Sequence, residues 1–171
     1  MLKNISNFAQ VSDYLPILNS VLITDLFVIL LLNTSIIKSR VLRVWYNKYN
    51  ISAILCDILI IFIGIIIARY LYSSFFQSYS LFKFIVLAVG VQIIHDLLFF
   101  QLFRSVPRGE NKMLDTFKDY AKEVSYKAVL SDSGMMIMAV LLSAFFAGQS
   151  LNTNIIVLIV AVYLMPYLLY N

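Results

Sequence analysis

Three aspartates stand inside apolar runs of this chain: Asp25, Asp57 and Asp96, the last preceded by its single histidine, His95. Gln92 lies one helical turn before Asp96, and Asp132 stands near the start of a fourth apolar run. An ionised aspartate at the centre of a membrane helix costs about 2.5–3.5 kcal/mol on insertion scales, so keeping several requires a compensation. One compensation is chemical: carboxylates exchange protons along a path or bind a cation, with His95 relaying near neutral pH. The other is structural: the acids are protonated, or hydrogen-bonded to Thr24, Ser52, Gln92 or backbone, and tie helices together. On sequence grounds the structural reading weighs more, because no basic residue shares the depth of the acids. Arg69 and Lys83 fall toward the opposite membrane face, where long side chains snorkel to the headgroups. His95 and Asp96 are neighbours in sequence, about 100° apart around a helix, and do not form a ready dyad.

The elements that must carry these residues are apolar runs from Tyr14 to Leu32, Ile51 to Tyr72, Phe82 to Phe103, Val129 to Ala147 and Ile155 to Tyr170. The first three match the roughly 20 residues that cross a hydrocarbon core. The fourth spans only with Asp132 at the headgroup edge, and the fifth is short; failing a full crossing, the last two form a re-entrant hairpin against the others. The expected fold is an all-α integral membrane protein, a single domain of five transmembrane helices plus one amphipathic cytoplasmic helix. Within it Ala88, Gln92, His95, Asp96 and Phe99 follow a three-and-four spacing that makes a polar stripe. Gly64 and Ala68, and Met135, Ala139, Ser143 and Ala147, form small-residue faces that allow helices to approach closely. Asp57 and Asp96 both fall about 10–12 Å inside the same boundary at 1.5 Å per residue, so that Asp25, Asp57, Asp96, Asp132 and His95 converge on one half of the bundle.

Orientation follows from the bases. Lys38, Arg40, Arg43 and Lys48 follow the first run, and Arg104, Arg108, Lys112, Lys118, Lys122 and Lys127 follow the third, whereas 73–81 and 148–154 carry no charge. With both basic segments in the cytoplasm, the N-terminus is outside and the C-terminus inside. The first fifteen residues lack the pattern of a cleaved signal peptide, so the first run is expected to be retained. Trp45, Tyr46 and Tyr49 cluster at one interface and Tyr70, Tyr72 and Tyr79 at the other, as amphipathic rings do.

Composition agrees. The 171 residues are 61 % hydrophobic and 13 % charged, against about 45–50 % and 25 % for soluble globular domains. The net charge of +4 belongs to residues flanking spans, so nucleic-acid binding is not expected. One cysteine, Cys56, and one histidine leave too few soft ligands for a zinc or iron–sulfur site, and no cofactor is expected. There is no lysine in the last run for a retinal Schiff base, no carbonyl filter, no phosphate loop and no membrane-protease motif. An enzyme is therefore not expected.

Arg104 to Leu130 is the one long polar stretch. Pro107-Arg108-Gly109 breaks the chain, Asn111 offers a cap, and Leu114, Phe117, Ala121, Val124 and Ala128 define the apolar face of a helix over 112–128. Glu123 and Lys127 form an i,i+4 pair worth about 0.3 kcal/mol. This helix either lies in the headgroup plane or offers a docking face to a partner or a second copy. Its Lys118, Lys122 and Lys127, with Lys38, Arg40 and Arg43, are the expected lipid- or partner-facing bases.

The runs Pro107-Arg108-Gly109-Glu110-Asn111-Lys112-Met113-Leu114-Asp115, 117–124 and Asp132-Ser133-Gly134-Met135-Met136, with Met165-Pro166-Tyr167-Leu168, resemble multipass membrane proteins of large nucleocytoplasmic DNA viruses. The abundance of Ile, Phe, Tyr, Asn and Lys, which have A/T-rich codons, fits such a source. The resemblance implies an origin and a place in a virion's internal membrane or a host endomembrane, and brings no chemistry. The preferred expectation is a structural or assembly protein whose basic cytoplasmic surface holds lipid headgroups, a viral or host membrane partner, or a second copy in a homo-oligomer. The alternative is a small proton- or cation-coupled transporter or channel working through the intramembrane acids. Against the alternative stand the short chain and the lack of an internal repeat.

Overall fold

The computed structural model describes residues 2–170, which form seven α-helices and, among the described residues, no strand. They are α1 (Tyr14–Asn33), α2 (Arg40–Tyr49), α3 (Ile51–Phe75), α4 (Leu81–Ser105), α5 (Lys112–Val124), α6 (Lys127–Phe146) and α7 (Leu151–Leu169), with a 3-10 turn at Val11–Asp13 before α1. Five of them, α1, α3, α4, α6 and α7, are long and apolar enough to cross a membrane. They fit an integral membrane protein with five spans.

Helix α1 is the axis. It is apolar around nearly its whole circumference, as a helix enclosed by others must be, and Ile17, Val21, Leu22, Ile29 and Leu32 are buried. It packs on α6, α7 and α3. Close approach to α6 depends on small residues: Ala139 and Ala144 are buried, and the hydroxyls of Ser20 and Ser143 share a hydrogen bond. At Gly64 a Cβ would stand 3.0 Å from Met136 Cε, so the missing side chain makes room for that methionine. Helices α4 and α7 lie outside, with Ile94, Leu97, Leu98, Ile156 and Ile159 exposed as lipid-facing residues would be.

The start of α1 meets the end of α6 and the start of α7, so α1 runs against α6 and with α7, and the two short helices α2 and α5 pack together. Ten of the 13 lysines and arginines belong to these two helices and the segments flanking them, as the placement of the basic connectors required: Lys38, Arg40, Arg43, Lys48, Arg104, Arg108, Lys112, Lys118, Lys122 and Lys127.

The structure departs from the sequence reading at four places. Helix α2 was not expected. At ten residues it is too short to stand alone, and it is held by its neighbours: Ser39 Oγ accepts from Leu42 N, while the Glu123 carboxylate of α5 accepts from Ser39 Oγ at 2.6 Å and Val41 N at 3.1 Å. The helix read over 112–128 ends at Val124, because Ser125 adopts a positive φ of 54°, and Lys127 opens α6. The Glu123–Lys127 register is thus broken, and Glu123 caps α2 in its place. Helix α7 starts at Leu151 and not at Ile155, since Ser150 Oγ accepts from Thr153 N and brings a further turn into the helix.

Arg69 does not snorkel. It is fully buried, because the N-terminal segment folds over it: its Nη2 donates to the carbonyls of Asn7 and Gln10 and lies 3.5 Å from Asp13 Oδ2. Its guanidinium also sits 5.0 Å from the ring centroid of Tyr14. Lys83 is exposed, with its ammonium 5.4 Å from the ring of Phe76.

An acid-lined cavity as the candidate functional site

Two adjacent residues of α2 organise the acids. Trp45 Nε1 donates to Asp57 Oδ2 on α3 at 3.0 Å, and Tyr46 OH donates to Asp25 Oδ1 on α1 at 2.9 Å. Both rings are buried. Burial first, and then the Asp57 and Asp25 carboxylates, hold the Tyr46 phenol well above its ordinary pKa, so it remains a donor. Neither Thr24 nor Ser52 serves as the acids' partner: the Thr24 hydroxyl bonds to the carbonyl of Ser20, one turn back as is usual for a helical threonine, and Ser52 faces outward.

On α4, Gln92 Nε2 donates to Asp96 Oδ1 at 2.6 Å. His95 Nδ1 comes within 3.3 Å of the same oxygen, although the two residues are adjacent in sequence. The imidazole reaches sideways round the helix and lies along the ring of Phe99, centroids 5.8 Å apart and planes 18° apart. So the pair read as pointing apart does meet. Asp132, one turn into α6, is half-buried and makes no hydrogen bond or ion pair among the described residues. The second oxygens of Asp25 and Asp96 are buried without a partner.

Asp57, Asp96 and Asp132, from α3, α4 and α6, line one cavity of about 460 Å3, together with Gln92 and His95. Asp25 is not in its wall; it stands behind Tyr46, which is. Trp45, Phe99, Phe103, Phe117 and Tyr120 supply an aromatic wall, and no lysine or arginine among the described residues lines it. Phe117 of α5 closes the basic end, its ring centroid 4.7 Å from Trp45 and 4.9 Å from Phe99. The apolar face of α5 thus covers the protein's own aromatic rings. Tyr120, like Tyr46, has its pKa raised by burial first and then by a nearby carboxylate, that of Asp132.

The sequence reading missed Trp45, Tyr46, Phe117 and Tyr120. The signal was present: Val41, Leu42, Trp45, Tyr46 and Tyr49 share one helical face, which an interfacial reading of the rings obscured. It missed Asn19 and Asn154 too. These form a buried tie between α1 and α7, where Asn19 Nδ2 donates to Asn154 O at 2.8 Å and lies 3.1 Å from Asn154 Oδ1.

The bases divide into two groups. Arg43 donates to Leu32 O at 2.7 Å and to Ser35 Oγ, and Lys118 donates to Val106 O at 2.6 Å and to Asp115. Both are thus committed to carbonyls that end α1 and follow α4. Lys38, Arg40, Lys122 and Lys127 are exposed and make no ion pair among the described residues. No group of three metal-ligating side chains is close enough to hold an ion among the described residues.

Five apolar helices, four of which line the acid-bearing cavity, are consistent with a multipass helical membrane protein. No family model, curated protein or solved structure matches it.

Proposed function

We propose that this is a small proton- or cation-coupled membrane transporter or channel and that the acid-lined cavity is its working site. One observation carries the reading. Three different spanning helices each line the same half-open cavity with one carboxylate, and no lysine or arginine of the described residues neutralises them there. Acids serving only as ties would each be matched by a donor, as Asp25 is by Tyr46. Asp132 is not, among the described residues. Intramembrane acids facing a cavity are the usual elements of proton and cation pathways. Trp45 couples Asp57 to α2, so a change in the charge of Asp57 reaches a helix at the surface.

The protein reconstituted in liposomes with an internal pH indicator is expected to pass protons or potassium under an imposed gradient. Asp96→Asn and Asp132→Asn should remove the flux while the melting temperature stays within a few degrees. Wild-type liposomes no leakier than empty ones would sink the reading.

The bases favour a second reading, a structural or assembly role. Lys38, Arg40, Lys122 and Lys127 present unpaired charge at one end, suited to anionic headgroups or an acidic partner layer. Cytoplasmic placement of that end, a site in a viral or host internal membrane, and homo-oligomerisation belong to this reading. Reversing these four charges to glutamate should abolish any preference for anionic over zwitterionic nanodiscs, measured as the difference in melting temperature between the two. An unchanged difference would remove it.

A further inference from the structure

The cavity is built for more than a proton. Its three carboxylates do not converge on a point: no three metal-ligating groups among the described residues stand close enough to share an ion, whereas a hard cation such as calcium gathers its oxygens at about 2.3–2.6 Å. A dehydrated inorganic cation would therefore not find a full set of protein ligands there. The volume, about 460 Å3, falls in the range of small-molecule sites, about 300–1,000 Å3. The same cavity is lined by Trp45, Phe99, Phe103, Phe117 and Tyr120, and aromatic faces attract cations, Trp most strongly. Acids at several points, aromatic rings between them and no competing lysine or arginine among the described residues are complementary to one class of ligand.

A second observation points to a hydrogen-bond donor in the same space. Gln92 is 3 % exposed and lines the cavity. Its Nε2 is spent on Asp96, while its Oε1 accepts no hydrogen bond among the described residues. A buried oxygen left without a donor is costly, and beside Gln92 the second oxygen of Asp96 is one. An ammonium N–H placed beside Asp96 would satisfy its orphaned Oδ2. The rim suits such a guest too, because Leu97, Phe100 and Tyr126 line the cavity and are also exposed. An amphiphile can thus enter over an apolar lip that carries no lysine or arginine among the described residues.

We infer that the cavity binds an organic cation, a protonated amine with an apolar body, seating its ammonium among Gln92, Asp96 and Asp132 and its body on the aromatic wall. The inference rests on the cavity being the working site proposed above, and names what it takes.

Trp45 is the only tryptophan and stands in the wall, so its fluorescence in lipid nanodiscs reads occupancy directly. Phenylbutylamine is expected to give a saturable change, and its neutral isostere phenylbutanol none at the same concentration. Asp96→Asn and Asp132→Asn should each weaken the amine by about tenfold, the loss of one charge-assisted contact. A trimethylammonium analogue, which has no N–H, should bind more weakly than the amine if Gln92 is a partner. Equal binding of amine and alcohol in the wild type would overturn the inference, showing an apolar cavity only, and needs no variant to fold. No binding of either, with flux dependent on Asp96 retained, would overturn it and leave the transport reading standing. Amine binding without any flux would uphold the binding site and overturn the coupled movement of ions.

Discussion

At the scale of single residues, buried polar groups held by one partner are where substitution should tell most. Removing the hydroxyl in Tyr46→Phe leaves Asp25 without a hydrogen bond in the centre of the bundle. An unsatisfied buried group costs about 1–3 kcal/mol, so the variant is expected to melt several degrees lower in nanodiscs, and Asp25→Leu in the same background should recover part of the loss. Tyr46→Phe as stable as the parent would mean that Asp25 finds another partner. The Arg69 site behaves by the same logic with larger numbers, because removing one member of a buried ion pair costs about 3–5 kcal/mol. Asp13 also accepts from Lys3 Nζ at 2.8 Å, so Arg69→Met combined with Lys3→Met, which leaves Asp13 with neither cation, should be worse than Arg69→Met alone. Limited proteolysis near residues 7–10 reports this directly, since Arg69 holds those carbonyls.

How much of this was legible depended on whether a residue's partner lay nearby in sequence. Gln92 and Asp96, one turn apart on α4, could be read as a pair, and they are one. Gly64 with Ala68 could be read as a site of close packing, and Met136 fills it. Trp45 to Asp57 and Tyr46 to Asp25 could not be read. They depend on α2 folding back over the ends of α1 and α3, and nothing in the order of residues says how far a short helix tilts. Arg69 was misread for a related reason: its burial depends on where the first ten residues lie, which composition does not fix.

At the scale of elements, α5 is a clamp whose two ends are set by local chemistry. Its start is capped by Asn111 Oδ1, which accepts from Met113 N and Leu114 N. Asp115 Oδ2 accepts from Gly109 N at 2.9 Å, at a backbone φ of +95° that only glycine adopts freely. That N–H, and next Lys118, hold the Asp115 carboxyl below its ordinary range. Because the folded value is lowered, the contribution is complete above the ordinary carboxylate pKa of about 4 and is lost as pH falls through the lowered value. The turn should thus be insensitive to pH between about 5 and 8. Gly109→Ala is expected to loosen it at every pH, seen as faster amide exchange at 109–115. At the other end Ser125 has φ +54°, so Ser125→Gly should be neutral or stabilising by up to about 1 kcal/mol, whereas Ser125→Val should undock α5 and expose Phe117. A Trp45 emission maximum that shifts to the red in the valine variant alone would check this.

For the molecule as a whole, charge and shape are segregated together. The bases gather where α2 and α5 cover the cavity, and the other end closes with Lys3 N donating to Ala144 O and with Arg69 beneath the N-terminal segment. Single-cysteine labels at residue 43 and residue 118 in a Cys56→Ser background should respond to the same side of a sealed vesicle. Labels answering from opposite sides would undo the arrangement of α2 on α5. This level was the most legible, since hydropathy and the spacing of lysine and arginine are sums over many residues and tolerate errors of detail. The ends of α6 and α7 were less so, because caps such as Ser150 lengthen a helix beyond its apolar run.

Helix α1 is made before its chief neighbours, α6 and α7, yet its buried face carries Asn19, Ser20, Thr24 and Asp25. Until the later helices emerge from the ribosome, Asn19 has no Asn154 and Ser20 has no Ser143. The nascent chain must therefore carry the Asn19 amide without its tie through most of its synthesis. Its biogenesis is correspondingly exposed to delay at the last hairpin, and chains stalled before α7 should be prime substrates for membrane quality control.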